Sequence, residues 1–123
     1  MVGAEVYGYS NDVPTNPSMF ETLGLDKKIH HHFGDIRNRE EMNDYVQRVK
    51  PDFLFHLAAQ AIVSTSYKEP FDTITTNVVG TASVLEAIRN ITWECTCVLL
   101  TSDKVYENVE WIWGYRRDRC SRW

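Results

Sequence analysis

Between Pro51 and Gln60 the chain reads DFLFHLAA, a continuous apolar strand of the kind that a parallel sheet buries on both faces. Parallel strands are not joined by tight hairpins, so such a strand needs a crossover segment on each side. The sequence supplies both as helices. Upstream, Met42, Tyr45, Val46 and Val49 follow the 3.6-residue period, Asn38 with Glu41 three residues on has the pattern of a capping box, and Pro51 stops the helix. Downstream, a long helix is expected from about Pro70 to Asn90, with Phe71, Ile74, Val78, Ala82, Leu85 and Ile88 along one stripe.

The rest of the chain repeats this alternation. AEVYGY at residues 4 to 9 reads as a strand, and NDVPTNP after it as a loop of turn residues and prolines. MFETLG makes a short helical turn closed by Gly24, HHFGDI runs through a short strand to Asp35 and Ile36, and CVLLT is the last clear strand. The order β, loop, β, α, β, α, β gives an α/β fold with an open, mostly parallel sheet, whose right-handed crossovers place the strand C-termini along one edge.

Composition narrows the function. A chain of 123 residues is one small domain, and no stretch approaches the roughly 20 apolar residues of a membrane span. The N-terminus has no basic-then-apolar signal pattern, so a cytoplasmic protein is expected, with no membrane partner. A net charge of −4 and a pI near 5.5 argue against nucleic acid, which calls for a clustered basic face. The three cysteines, Cys95, Cys97 and Cys120, cannot all pair and read as reduced thiols. The run His30 to His32 is not read as a metal site, because adjacent histidines do not readily face one ion and the thiol spacing fits no zinc signature. His56, on the apolar strand, reads as a hydrogen-bonded core residue.

In open α/β sheets ligands bind at the carboxyl edge of the strands. The residues there are Asp35 and Ile36 after one strand, Ala58, Ala59 and Gln60 after the next, and Thr101, Ser102, Asp103 and Lys104 after the last. Small residues let a flat ligand approach the backbone, and an acid accepts hydrogen bonds from an amino group or a sugar hydroxyl. The set suits a nucleotide lying across the edge.

The segments GDIRN, FHLAAQ, TNVVGT and TSDKVYEN with WGYR after it resemble the extended short-chain dehydrogenase/reductases of the NAD-dependent epimerase/dehydratase family, and within them the CDP-glucose 4,6-dehydratases. The resemblance covers about residues 3 to 116 and includes PTNPSMF and ENVEWIWGYR. It implies an incomplete Rossmann-like sheet, NAD as cofactor and a nucleotide-sugar substrate, CDP-glucose, with homo-oligomeric full-length relatives. Asp35 would bond the adenine amino group, Ile36 would pack on the ring, and Ala58, Ala59 and Gln60 would line the phosphate and ribose side. Asn77 would lie on the helix behind it, and Thr101 would close the last strand on the cofactor. Asp35 as a loop cap and Asn77 as an ordinary helix residue are the plain alternatives.

The implied reaction oxidises carbon 4 of the hexose, eliminates water across carbons 5 and 6 and returns the hydride to carbon 6. Elimination needs a base near the carbon 5 proton and an acid near the departing hydroxyl. By resemblance Ser102 would bond the oxygen on carbon 4, Asp103 would be the acid, and Lys104 would stand where related dehydratases carry a glutamate base. A lysine can serve there with its amine neutral, as the base, or as a cation that stabilises the enolate; desolvation and nearby positive charge favour the first.

The departures matter too. The family's glycine-rich phosphate turn and its Tyr-x-x-x-Lys pair have no counterpart, and residues 117 to 123, RDRCSRW, depart from the family as an aberrant tail. AIVS stands where PLVR is expected after Gln60, so Ala61 and Ser64 weaken a substrate contact there. The expectation is a partial NAD-binding domain over residues 1 to 123, inactive alone. The absent first strand belongs at the centre of the sheet, which leaves its neighbours without partners. An epimerase or reductase of the same superfamily and a non-enzymatic product that binds through the open sheet edge are the alternatives. Asp12 after Tyr9, with no clear arginine, leaves NAD against its phosphorylated form open, and Trp111, Trp113 and Tyr115 either stack on a ligand or pack on protein.

Overall fold

In the computed structural model, residues 3–102, 107, 108, 110 and 112–114 are described. Strand β1 (Tyr7–Ser10) leads through a short helix α1 (Met19–Thr22) and a 3-10 turn (Leu25–Lys27) to β2 (His30–Phe33). Helix α2 (Arg39–Val49) follows, then β3 (Phe53–His56), α3 (Val63–Lys68), α4 (Pro70–Ile74), a π-helical segment (Thr75–Gly80), α5 (Thr81–Arg89) and β4 (Thr96–Leu99).

The strands are parallel, as expected, but they form two ladders. β1 pairs with β2 in the register Tyr7↔His30 to Ser10↔Phe33, and β3 pairs with β4 from Phe53↔Thr96 to His56↔Leu99. No ladder joins β1 to β3 among the described residues. The two ladders nonetheless share one core, because Tyr9 of β1 and Leu54 of β3 both pack against the cluster of Ile36, Met42, Val46, Val84 and Ala87. That cluster lies where α2 meets α5. Polar contacts pin its margin: Gln47 Nε2 donates to the Asn90 carbonyl at 3.0 Å and Asn90 Nδ2 to Asn43 Oδ1 at 3.0 Å.

The local signals that make α2 act largely as read. Asn38 Oδ1 accepts from the Glu41 amide at 3.3 Å, Glu40 and Glu41 place negative charge in the first turn, and Lys50 ends the helix in a left-handed conformation before Pro51. The carboxylate of Glu41 accepts from the Asn38 side-chain amide rather than from its backbone, so only half of a capping box forms. A complete box forms instead at Ser18 and Glu21, which start α1. Tyr45, on α2, reaches across to donate to the Gly8 carbonyl at 3.1 Å and so seats the helix on the first ladder.

Other expectations are corrected. The single long helix is interrupted by the π segment, and α3 precedes it where no element was expected; the first strand also starts later, at Tyr7. Of the expected stripe, Phe71, Ile74, Val78 and Leu85 are exposed, by 76, 59, 63 and 48 %, Ala82 is exposed too, and Ile88 alone packs against the core, while Gly80, Ser83, Val84 and Ala87 are buried. The helix has two apolar faces, and the one with small side chains wins the contact with α2 because it allows the closer approach. Finally, the apolar strand is covered on one face only. Leu54 and His56 turn to the helices, whereas Phe53, Phe55 and Leu57 are 63, 61 and 64 % exposed, continued by Val98 and Leu100 on and beyond β4 at 42 and 69 %. Together these exposures amount to about three whole side chains, so covering them would contribute roughly 5–9 kcal/mol at about 1.5–3 kcal/mol per side chain fully buried, comparable with the whole net stability of a typical domain, about 5–15 kcal/mol.

Candidate functional site

Parallel pairing brings the C-terminal ends of β1 and β2 to one edge, and those of β3 and β4 likewise. After β2 the chain turns through Gly34. A Cβ at that position would run into the hydroxyl and ring of Tyr9, whose OH donates to the Asp35 carbonyl at 3.3 Å. Burial, reinforced by the charges of Glu41 and Asp35, pushes the Tyr9 phenol up to about 12, so it remains a donor.

Asp35 stands at the edge with its carboxylate about one-third exposed and fully engaged. Oδ1 accepts from the Arg37 amide at 2.9 Å and from Arg37 Nε at 3.1 Å; Oδ2 accepts from Nε at 2.9 Å and Nη2 at 2.6 Å. The guanidinium holds the Asp35 carboxyl below its ordinary range. Arg37 also donates through Nη1 to Asp72 at 3.1 Å, tying the loop after β2 to α4. The loop-capping role of Asp35 is thus present in the structure. Ile36 is 8 % exposed, with its Cγ1 and Cδ1 against Gly80 on the π segment, so most of its surface is spent in the core.

After β3, Ala58 and Ala59 are exposed and present little beyond backbone. Gln60 and Asn77 form a reciprocal clamp: the Gln60 amide donates to Asn77 Oδ1 at 2.8 Å, and Asn77 Nδ2 donates to the Gln60 carbonyl at 3.0 Å. The Gln60 side chain then braces the turn, with Nε2 donating to Thr73 Oγ1 at 2.9 Å and Oε1 accepting from the Ile62 amide at 2.7 Å. Asn77 sits in the π-helical stretch, a distortion that often accompanies functional positions. One side chain therefore fixes the loop after β3 onto the helix behind it.

After β4, Thr101 and Ser102 are exposed, and Ser102 has an interaction partner of its own. Asp103 and Lys104 lie outside the described residues, as do Trp111, Tyr115 and the stretch 117 to 123. Trp113 is 70 % exposed. The structure thus brings Gln60 and Asn77 together, keeps Ala58, Ala59, Thr101 and Ser102 open, and couples Asp35 to Arg37. Sequence reasoning missed Arg37, Asp72 and Thr73. For the two on α4 no local pattern points across a separation of 35 or 13 residues.

His56 is buried, with Nε2 3.0 Å from Thr81 Oγ1, and burial pushes its pKa down, in keeping with a core role. The three consecutive histidines go separate ways: His30 to Glu5 at 3.0 Å, His31 to Ser10 at 2.9 Å and His32 to Glu41 at 3.0 Å. Among the described residues there is no group of three or more metal-ligating side chains, and no helix is long and apolar enough to cross a membrane. Surface concavities of about 370 and 450 Å³ are lined by residues around Tyr45 and around Asn90, and by none of the residues that follow the C-terminal ends of the strands.

The sequence model of the family described as GDP-mannose 4,6 dehydratase matches residues 2–112. The chain is 44 % identical over 117 residues to the CDP-glucose 4,6-dehydratase of Salmonella typhimurium, covering 95 % of this chain and 33 % of that protein. It is 34 % identical over 95 residues to the CDP-paratose 2-epimerase of Salmonella typhi, covering 77 % of this chain and 27 % of that one. The chain therefore spans about a third, or less, of the length of these relatives. A UDP-glucose 4-epimerase from Stenotrophomonas maltophila, solved with NAD and a formylated UDP-arabinopyranose, shares the fold at a TM-score of 0.74 and 23 % identity, over 97 % of this chain and 35 % of that one.

Proposed function

The chain belongs to the GDP-mannose 4,6 dehydratase family, and from that premise we propose that it forms part of the cofactor- and substrate-binding edge of an NAD-dependent sugar-nucleotide 4,6-dehydratase acting on CDP-glucose. The observation that carries this reading is the 44 % identity over 95 % of the chain with a protein of that activity.

The strand ends fit a dinucleotide on their own chemistry. Ala58 and Ala59 leave the backbone after β3 open to close approach, and the Asn77 clamp holds that backbone in place. Asp35 offers the acceptor for an adenine amino group, on the condition that Arg37 yields one of the four acceptor positions it occupies. Ile36 supports that position from within the core, Gln60 would line the phosphate and ribose side and Thr101 would meet the cofactor after β4, and NAD, when bound, would take the hydride from carbon 4 of the sugar and return it at carbon 6.

The residues after β4 would then handle protons. Ser102 would hydrogen-bond the oxygen on carbon 4. Asp103 would donate a proton to the hydroxyl leaving carbon 6, and Lys104, with its amine neutral, would take the acidified proton from carbon 5. The departing hydroxyl and the Asp103 proton make up the water; the carbon 5 proton, held on Lys104, returns to carbon 5 as the hydride adds at carbon 6, and the proton released when the carbon 4 hydroxyl is oxidised restores the Asp103 acid. The exposed stripe Phe71, Ile74, Val78 and Leu85 is in keeping with a homo-oligomer.

A chimera tests the reading. Residues 3 to 104 are placed in the Salmonella typhimurium enzyme in place of its matching segment, and the product formed from CDP-glucose is followed. The 4-keto-6-deoxy sugar is expected, with loss of turnover in the Asp103→Asn chimera. A folded chimera that binds NAD but yields only an epimerised, undehydrated sugar would favour the epimerase alternative; 34 % identity to a CDP-sugar epimerase makes that outcome the informative rival. The 123-residue chain alone is expected to give no product.

A further inference from the structure

Cys95 and Cys97 flank Thr96 at the start of β4, and their sulfurs lie 3.7 Å apart. Along residues 93 to 99 exposure alternates, so the two thiols share one face of the strand, each half-buried and within reach of solvent. Neither takes part in the strand-end site described above.

The spacing is wrong for a disulfide and right for a bridge. A disulfide needs sulfurs at about 2.05 Å and Cα atoms typically 4.4–6.8 Å apart, whereas residues two apart on a strand are separated by about 6.6 Å, at the far end of that range. The sulfurs would have to close by more than 1.5 Å, starting from 3.7 Å, against a rigid ladder. A single atom bonded to both at about 2.3 Å spans 3.7 Å with an angle of about 107°, close to tetrahedral. A four-ligand zinc site is a different matter, because no group of three or more ligating side chains exists among the described residues. We infer that Cys95 and Cys97 form a two-thiol chelating site for a soft, thiophilic centre with two exchangeable positions, a trivalent organoarsenical being the chemical class that fits.

The resting state of the pair agrees with this. Burial, the hydrogen bond shared with Cys97 and the nearby Asp52 charge push the Cys95 thiol up to about 11, so Cys95 stays protonated at neutral pH and is a poor target for simple alkylation. Chelation by phenylarsine oxide balances without an oxidant. Two As–S bonds form, the two S–H protons leave with the oxide oxygen as one water, arsenic stays trivalent and neither sulfur changes oxidation state.

The test uses phenylarsine oxide on the full chain and on Cys95→Ser, Cys97→Ser and Cys120→Ser. Mass spectrometry is expected to show one phenylarsenic group per chain on the wild type and on C120S. The group should be retained in excess monothiol, removed by a dithiol, and mapped to the peptide containing Cys95 and Cys97. In C95S and C97S the group should be lost to monothiol. Because the strand pre-positions both side chains, retention should also fall about tenfold when the wild type is unfolded in urea. Wild-type chain that gives up the group to monothiol as readily as C95S, a map that places it on Cys120, or equal retention in urea would each overturn the inference.

Discussion

Replacing Asn77 by alanine removes both arms of the clamp that joins the loop after β3 to the helix behind it. The Gln60 amide loses an acceptor at 2.8 Å and the Gln60 carbonyl loses a donor at 3.0 Å. A typical intramolecular hydrogen bond contributes about 0.5–1.5 kcal/mol net, and both groups are partly buried, so the variant should lose about 2 kcal/mol in urea unfolding followed by circular dichroism. Asn77→Asp refines the test. Its carboxylate still accepts from the Gln60 amide but presents oxygen to the Gln60 carbonyl, where only a protonated carboxyl can donate. The folded state therefore favours the protonated acid and raises its pKa above the unfolded value near 3.9. N77D should accordingly be as unstable as N77A at pH 7 and gain on wild type as the pH falls toward about 4. Hydrogen exchange at the Gln60 amide is the local reporter, and both variants should accelerate it at pH 7. A stability change within the roughly 0.5 kcal/mol typical of surface substitutions, with unchanged exchange at Gln60, would refute the reasoning.

Gly80→Ala places a methyl at 2.5 and 2.6 Å from Ile36 Cδ1 and Cγ1. Overpacking of about 1–3 kcal/mol should outweigh the helix-propensity gain of about 1 kcal/mol. Adding Ile36→Ala should recover part of its own loss because the new methyl occupies vacated space; additive unfolding energies in that double-mutant cycle would show the contact to be slack. His56 has its pKa lowered by burial, so below about 6.5 the unfolded state takes up a proton that the folded state refuses, and stability falls as pH drops through that window. His56→Gln, which can still meet Thr81, should flatten the urea midpoint between pH 7.5 and 5.5; a slope equal to wild type would assign the pH dependence to other groups.

The four strands, their order and helix α2 were legible because period and boundary residues act locally, whereas α3 and the break in the helix after it were not. Pro51, Asn38 and the run from Phe53 each behave as their chemistry dictates. Which face of an element finds a partner was not legible. Hydrophobic periodicity identifies an apolar stripe, and the helix from Pro70 to Arg89 carries more than one, so the sequence points equally to Phe71 and Ile74 or to Val84 and Ala87. The N-cap motif of α1, Ser18 followed by Glu21, was in plain view but sat inside a stretch dominated by turn residues. At the site, the position of each strand end followed from the fold class, and Asn77 was placed behind the ligand by resemblance. Its partner, the Gln60 backbone, is 17 residues away, and the Arg37 guanidinium over Asp35 competes with the ligand expected there. Such pairings depend on how loops settle after packing, which no local pattern encodes.

The separation of β1 and β2 from β3 and β4 also decides how the molecule comes apart. A lone two-stranded ladder is marginal in water, and each ladder here has four residue pairs. What keeps both assembled is the seam between α2 and α5, with Tyr9 and Leu54 reaching it from either side. The seam is therefore the cooperative unit. Once Val46, Val84 and Ala87 part, neither ladder has a reason to outlast the other, and both ladders are lost together with the core cluster of the described residues.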